Sequence, residues 1–395
     1  MNQIFLAHEW LLPVIPFVVA FLSVSWIHPR LVKLAYLKGI VDNPDQRKLQ
    51  RRPVPVLGGV AVFFGLALGT GVVSPFYDSS QMVMILASMT VMLYIGTMDD
   101  ILELSPAFRL FVEILCVLLL ILVEGLVINH FHGLWGVGAI PYWLCSALLT
   151  VLAAVGIINA INLIDGVNGL SSGFCIMACI EFGGFFYCAG DITMVLLAAG
   201  CIGALIPFFF HNVFGKTSRM FIGDGGTLVM GLVMSIFVIH TLDSGSLCAV
   251  FAPEGFGLIP FALAVLAVPV FDTLRVMSVR VKNHVSPFHP DKTHLHHLFI
   301  DLGFSHIGTT LSILFLNALV VGTFWVLYVA GVSVSGQFYA VVALSFLVTF
   351  GLYYLVRWNE RRNTRFYRML LRLGKASQFE RKGLFLRFQF FLDRI

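Results

Sequence analysis

Val281 to Ser305 reads VKNHVSPFHPDKTHLHHLFIDLGFS. Five histidines (His284, His289, His294, His296 and His297) crowd into it with Asp291, Lys292 and Asp301, and the chain on either side is almost pure hydrocarbon. A polar loop of this size between long apolar runs belongs at a membrane surface, in contact with water. Clustered histidines and carboxylates in such a place point to chemistry rather than packing.

Working outward, 58% of the 395 residues are hydrophobic and 12% are charged, against about 25% charged in an average soluble domain. Apolar runs of the roughly 20 residues needed to cross a hydrocarbon core recur throughout. The pattern predicts an all-α, polytopic transmembrane bundle of eleven spans, near 10–28, 54–74, 81–97, 108–128, 141–160, 170–189, 192–211, 225–241, 257–276, 308–330 and 336–356. The loops then alternate sides. When each loop is counted with its adjoining helix ends, all 25 Lys and Arg fall on one side. By the positive-inside rule that side is cytoplasmic, which places the N-terminus outside and the C-terminus in the cytoplasm.

The expected organisation is a membrane-embedded catalytic domain over 1–356 and a basic, amphipathic cytoplasmic tail over 357–395. In the tail Arg357, Arg361, Arg365, Arg368 and Arg372 would line one stripe of a continuous helix lying on anionic membrane lipids. No motif that carries chemistry falls there. The first apolar run has no basic residues before it and no small-residue cleavage pattern behind it, so a cleavable signal peptide is not expected. Seven cysteines, almost all within apolar runs and with no CxxC pair, read as small core residues.

Four further polar islands fall on the same side. Gly39 to Gly59 carries Arg47, Lys48, Arg51 and Arg52 ahead of a Pro-rich turn and a glycine pair. This is either a positive-inside anchor or a basic clamp for phosphate, and the prolines favour a fixed loop. Asp99 and Asp100 end the third span, and a cation or a reacting proton explains adjacent carboxylates there better than a solvated helix end does. In Asn162-Leu-Ile-Asp165-Gly166-Val-Asn168-Gly169, Asn162 and Asp165 would face one way if the helix continues to that point. Gly166 and Gly169 allow a tight turn and close approach of a ligand.

His211 to Gly226 reads HNVFGKTSRMFIGDGG. Gly215-Lys216-Thr217 looks like the end of a Walker A loop, but the required first glycine would fall on Phe210. Asp224, between glycines ahead of a span, could hold Mg²⁺ through oxygen. In the fifth island, His294 and His296 are two apart and would point apart on a loop or helix. Zinc is disfavoured there, with no cysteine or well-spaced carboxylate to complete a tetrahedral set; binding phosphate or moving protons suits these histidines better. Oxygen ligands, a basic loop and histidines on one membrane face suit phosphoryl transfer.

These motifs, in this order from Gly39 to Ser305, resemble the polyprenyl-phosphate N-acetylhexosamine-1-phosphate transferases, bacterial membrane enzymes that start cell-surface glycan assembly. Asp99-Asp100 resembles the family's aspartate pair, Asn162 to Gly166 its NxxDG loop, and Phe221-Ile222-Gly223-Asp224 its metal-binding loop. His294-Leu295-His296-His297 resembles the HxHH loop of the branch that uses UDP-N-acetylglucosamine. Gln50, Asn168 and Glu103 depart from residues common in relatives.

The resemblance implies that Asp224 and Asn162 hold Mg²⁺, with Mn²⁺ as an alternative, and that Asp99, Asp100, Asp165 and His294 are catalytic. Lys48, Arg51, Gly166, Asn168, Asn212, His296 and His297 would bind substrate. The implied reaction joins a UDP-N-acetylhexosamine to undecaprenyl phosphate on the cytoplasmic face of the bacterial inner membrane and releases UMP. Muramoyl-pentapeptide or another UDP-sugar as donor remains open, as do the glycan pathway, the polyprenyl length, a homo-oligomeric state, and one-step or two-step chemistry. A transporter would place its carboxylates near the bilayer midplane, not at one surface. No nucleic-acid partner is expected.

Overall fold

The computed structural model describes residues 11–44, 50, 52–286, 293–379 and 383–394. Lys48 and Arg51, expected to clamp phosphate, lie outside the described residues, as do His289, Asp291 and Lys292. The chain is helical nearly throughout. In order the helices are α1 Val14–Lys38, α2 Gly58–Val73, α3 Ser80–Leu102, α4 Pro106–Glu124, α5 Trp143–Leu163, α6 Leu170–Ala189, α7 Ile192–Phe214 and α8 Gly223–Leu242. They continue with α9 Leu258–Val265, α10 Ala267–Lys282, α11 Leu295–Asp301, α12 His306–Val329, α13 Val334–Phe346, α14 Leu352–Arg361, α15 Arg365–Ala376 and α16 Gly383–Leu392. Among the described residues the one sheet is a two-stranded antiparallel pair, β1 Val41–Asp42 with β2 Val54–Pro55.

Among the described residues ten helices are long and apolar enough to cross a membrane, so this is a multi-pass membrane protein. An eleventh crossing is reached only by joining the short helix Leu247–Glu254 to α9 across a bend of 111°. The expected span 257–276 is instead two helices, broken where Leu266 leaves helical geometry (φ −99°, ψ 19°). The break has a chemical counterpart: α10 carries Asp272 and Arg275, which no lipid-facing helix would hold without compensation. Of the cysteines, Cys145 and Cys188 are exposed rather than core residues, and the other five are buried.

The chain divides into two compact units. The first comprises residues 1–126, 172–237 and 386–395. Here α1 buries a stripe recurring every four residues (Pro16, Ala20, Val24, His28, Val32) and packs against α2 and α7. Outward positions such as Leu22, Trp26, Leu122 and Val123 stay exposed, as expected of side chains that meet hydrocarbon. α8 is buried along nearly all its length, only Gly223, Asp224 and His240 being less so. The described end of the Gly39–Gly59 island, residues 52–59, is tied down. The N–H of Phe221 donates to Pro55 O, and those of Gly58 and Gly59 donate to Phe221 O and Ile222 O, at 2.8, 3.0 and 2.7 Å. The segment 220–222 is thereby stitched along 55–59 and delivers Gly223 and Asp224 to a fixed place.

The second unit comprises residues 127–171 and 238–385, with α10 packed against α5, α12 and α13. The basic stripe expected on one tail helix is divided. α14 ends at Arg361, Asn363 takes a left-handed conformation (φ 46°), and Thr364 caps α15 by accepting from the N–H of Tyr367. Asn tolerates that conformation and Thr is a good N-cap, so the sequence stops one helix and starts another. Arg357 and Arg361 thus lie on a different helix from Arg365, Arg368 and Arg372.

Candidate active site

In the first unit the acidic residues gather at the start of the buried helix α8. Asp100 points both carboxylate oxygens there: Oδ1 accepts from the N–H of Asp224 at 3.0 Å and Oδ2 from that of Gly225 at 3.3 Å. It therefore serves N–H groups that the first turn of a helix leaves without partners, and a negative charge is favoured at that end. Gly223 has φ 70°, and a β-carbon there would run into the Asp100 carboxylate. A β-carbon on Gly96 of α3 would press on the Asp224 backbone at 2.5 Å. Small residues therefore let α3 and the start of α8 meet backbone to backbone, which brings the aspartate pair to the glycine loop.

Asp99 turns to other partners. Its Oδ1 accepts from the N–H of Leu104 at 2.8 Å, and its Oδ2 lies 2.9 Å from Nη1 of Arg109. The same Nη1 lies 3.5 Å from Asp224 Oδ2, and Arg109 Nε lies 3.6 Å from Glu113 Oε1. Asp224 is the more open carboxylate, with its side chain 34% exposed against 11% for Asp99. From the sequence alone Arg109 is only a sidedness charge. Its position in the first turn of α4, one helical stretch beyond a carboxylate pair, was the available signal.

In the second unit a buried charge cluster holds the histidine loop. Asp272 Oδ1 accepts from Arg275 Nε and Nη2 at 3.1 and 2.7 Å. Asp272 Oδ2 lies 3.0 Å from His294 Nδ1 and accepts from the N–H of Leu295 at 3.1 Å. Arg275 also donates to Thr293 O at 2.6 Å, and its guanidinium lies 3.9 Å above the Tyr353 ring. Burial alone would raise the Asp272 carboxyl, but the His294 hydrogen bond and the Arg275 charge outweigh it and hold its pKa at about 2. An ionised Asp272 takes the proton on His294 Nδ1 as donor. His294 Nε2 is then left buried with no hydrogen-bond partner among the described residues. A carboxylate-backed imidazole with its far nitrogen uncommitted is suited to meet a phosphate or carry a proton.

His294 and His296 do not point apart as expected. His294 precedes α11 in extended geometry, and the two rings lie nearly parallel with centroids 5.6 Å apart; His297 sits 4.4 Å from His296. Burial first, then the neighbouring His297 and His294, hold His296 well below the usual imidazole range.

The NxxDG loop is also placed differently from its reading. α5 ends at Leu163, so Asp165 lies beyond the helix rather than on the face of Asn162; the N–H of Asp165 donates to Asn162 O at 3.2 Å. Asp165 accepts from the Ser171 hydroxyl. A β-carbon on Gly166 would run into the His296 ring, so the group approaching this glycine closely is an imidazole of the same unit. The N–H of Asn168 reaches His306 Nδ1 at 3.4 Å, and Asn168 O accepts from Thr310 at 3.0 Å.

Asn212, in the first unit, is buried and donates through Nδ2 to Met220 O at 2.8 Å, holding the loop that leads to Asp224. Sequence reasoning missed Asp272 and Arg275. The signal was an acid and a base three residues apart at the end of an apolar run.

Asp99 and Asp224 are hard oxygen donors that share one cationic partner, Arg109, and Asp224 is open to solvent. That donor chemistry fits Mg²⁺ or Mn²⁺ completed by water and substrate oxygens. Among the described residues no three His, Cys, Asp or Glu side chains form a closed cage.

Comparison with known proteins bears on the family. Residues 82–242 match the family model for glycosyl transferase family 4. A probable undecaprenyl-phosphate N-acetylglucosaminyl 1-phosphate transferase of Bacillus subtilis (strain 168) is 30% identical over 300 residues, 76% of this chain and 80% of the relative. Undecaprenyl-phosphate alpha-N-acetylglucosaminyl 1-phosphate transferases of Yersinia pestis and Escherichia coli (strain K12) are 28% and 26% identical. They cover 69% of this chain in both cases, and 73% and 72% of the relatives. Motif order, helical membrane architecture and similarity along most of both chains converge: this protein belongs to glycosyl transferase family 4, among the membrane-bound sugar-1-phosphate transferases.

Proposed function

We propose that the protein transfers N-acetylglucosamine-1-phosphate from UDP-N-acetylglucosamine to undecaprenyl phosphate, giving undecaprenyl-diphospho-N-acetylglucosamine and UMP. The observation that carries this reading is the convergence of Asp99 and Asp224 on one cationic centre at the start of α8. A phosphate oxygen of the lipid attacks the β-phosphorus of the nucleotide sugar. The new P–O bond forms as the bond from that phosphorus to the bridging oxygen breaks, and UMP departs with the bridging oxygen.

Asp99 and Asp224 would hold Mg²⁺, and the bound ion would neutralise the diphosphate. Asp99 or Asp100 would take a proton from the lipid phosphate. Asp99 Oδ2 is held by Arg109, a side chain that can swing, although its Oδ1 accepts from the Leu104 N–H; both oxygens of Asp100 are held by backbone N–H groups of a helix. His294, backed by Asp272, would meet a substrate phosphate through Nε2, with His296 and His297 beside it. Asp165, Gly166 and Asn168 would contact the nucleotide.

The distribution of Lys and Arg supports placing this chemistry at the cytoplasmic face of the inner membrane. The test is UMP release by purified protein given undecaprenyl phosphate and a panel of UDP-sugars. Release with UDP-N-acetylglucosamine is expected. Release only with another donor would reassign the sugar, and none with any donor would overturn the reading.

A further inference from the structure

The loop Lys216–Ser218, set aside as a failed Walker A match, nevertheless holds an anion. Asp393, near the end of the chain and in the same unit, places Oδ1 3.0 Å from the N–H of Lys216, 3.0 Å from that of Thr217 and 3.1 Å from that of Ser218. The Ser218 hydroxyl donates to the same oxygen at 3.0 Å, and Oδ2 lies 3.2 Å from the Lys216 N–H. Three successive backbone N–H groups converging on one oxygen form an anion-binding nest. Burial would raise the Asp393 carboxyl, but these donors outweigh it and lower it below the ordinary carboxylate value.

The carboxylate is delivered by α16, whose Phe388 packs edge-on against Phe214 at 5.1 Å and against Phe210 at 5.6 Å. Phe210 thus stands where the nucleotide motif would need glycine and serves as the seat of the tail.

The nest sits at a sensitive place. Ser218 Oγ lies 3.1 Å from His211 Nδ1, and Ser218 O lies 2.8 Å from Nε2 of the buried His28, whose ring stacks on His211 at 4.3 Å. Two residues on, Met220 O is held by Asn212; Phe221 and Ile222 are held by residues 55–59; Asp224 follows. The loop that carries the more open carboxylate is therefore fixed at its far end by Asn212 and residues 55–59, and by the tail at its near end. We propose that Asp393 is a positioning residue for the transfer reaction: a tethered anion that locks Lys216–Ser218 and, through residues 219–223, sets Asp224.

This inference rests on the transfer reading above, so its test has an arm independent of activity. In full-length protein, amide hydrogen exchange at 216–218 should speed up by about tenfold in Asp393→Asn and stay near wild type in Asp393→Glu. UMP release should fall several-fold in kcat with KM for the nucleotide sugar little changed, and Asp393→Glu should restore it. In a chain ending at Leu392, added formate should fill the nest, slow the exchange and recover turnover; a general structural role would show no such rescue.

Wild-type exchange in Asp393→Asn overturns the latch. Altered exchange with unchanged kcat, or lost kcat that neither glutamate nor formate restores, overturns the positioning role. If wild type releases no UMP, the transfer reading fails, and with it the role in transfer, while the exchange arm still decides the latch.

Discussion

The guanidinium of Arg109 lies 2.9 Å from the carboxylate of Asp99, and it reaches across to Asp224 at 3.5 Å. Two carboxylates that would otherwise repel share one cation, and that cation belongs to the chain. Arg109→Ala should therefore lower turnover by about 100-fold, the scale of losing one fixed charge partner in a site. Arg109→Lys should recover part of the loss, since lysine keeps the charge but lacks the planar fork. UMP release measures both, and wild-type turnover in the alanine variant would remove Arg109 from the chemistry.

Asp224 should divide fold from function. Its side chain is partly open, and its backbone N–H, not its carboxylate, makes the contact with Asp100. Asp224→Asn should abolish turnover while the melting temperature stays within a few degrees, about what a surface change of ±0.5 kcal/mol produces. Chelation should silence the wild type, and Mg²⁺ or Mn²⁺ should restore it. Full activity in excess chelator would exclude a metal role for this carboxylate.

Asp272 should behave in the opposite way. It is buried and serves both Arg275 and His294, so Asp272→Asn leaves a buried guanidinium without its charge partner. Breaking such a pair costs about 3–5 kcal/mol. Thermal unfolding should reveal that loss, whereas His294→Ala should keep more stability and still lose turnover. If Asp272→Asn melts with the wild type, the buried cluster is not what holds the histidine loop.

The buried His296 sets a pH dependence. Its folded pKa is lowered well below 6.5, and in the unfolded chain it returns to that ordinary value. Unfolding therefore takes up a proton at mildly acid pH, and stability falls as pH drops below about 6.5. Asp272 adds nothing in this window, because its pKa of about 2 and its ordinary value of 3.8 both lie lower. The melting temperature should fall between about pH 7.5 and 5.5, and His296→Gln should flatten that slope. An identical slope in the variant would assign the effect elsewhere.

What the sequence made legible follows from contrast. Asp99-Asp100, Asn162 to Asn168, Asp224 and His294 to His297 stand out because each is polar within an apolar chain, and charge in hydrocarbon is costly. The spans were legible for the same reason, except where α9 gives way to α10 at Leu266. What stayed hidden depends on partners distant in sequence. Asp272 and Arg275 look like the end of a span until His294 and Tyr353 are brought to them. Arg109 resembles any topogenic charge until Asp224 arrives from more than a hundred residues on. Asp393 sits in a tail whose arginines suit a lipid surface, and its partner loop lacks a nucleotide motif because position 210 is Phe. Asn162 and Asp165 would share a face only on a continuing helix, and the helix stops at Leu163.

The stack of Arg275 on Tyr353 also bears on how the chain is made. α10 leaves the ribosome well before α11 and α14 exist, with an acid and a base that the bilayer will not accept alone. Until His294 and then Tyr353 have been synthesised, that acid and base have only their own contact within α10. The buried charge cluster of this unit is thus complete only when its C-terminal part exists, and a chain ending before Tyr353 would lack the aromatic face over Arg275.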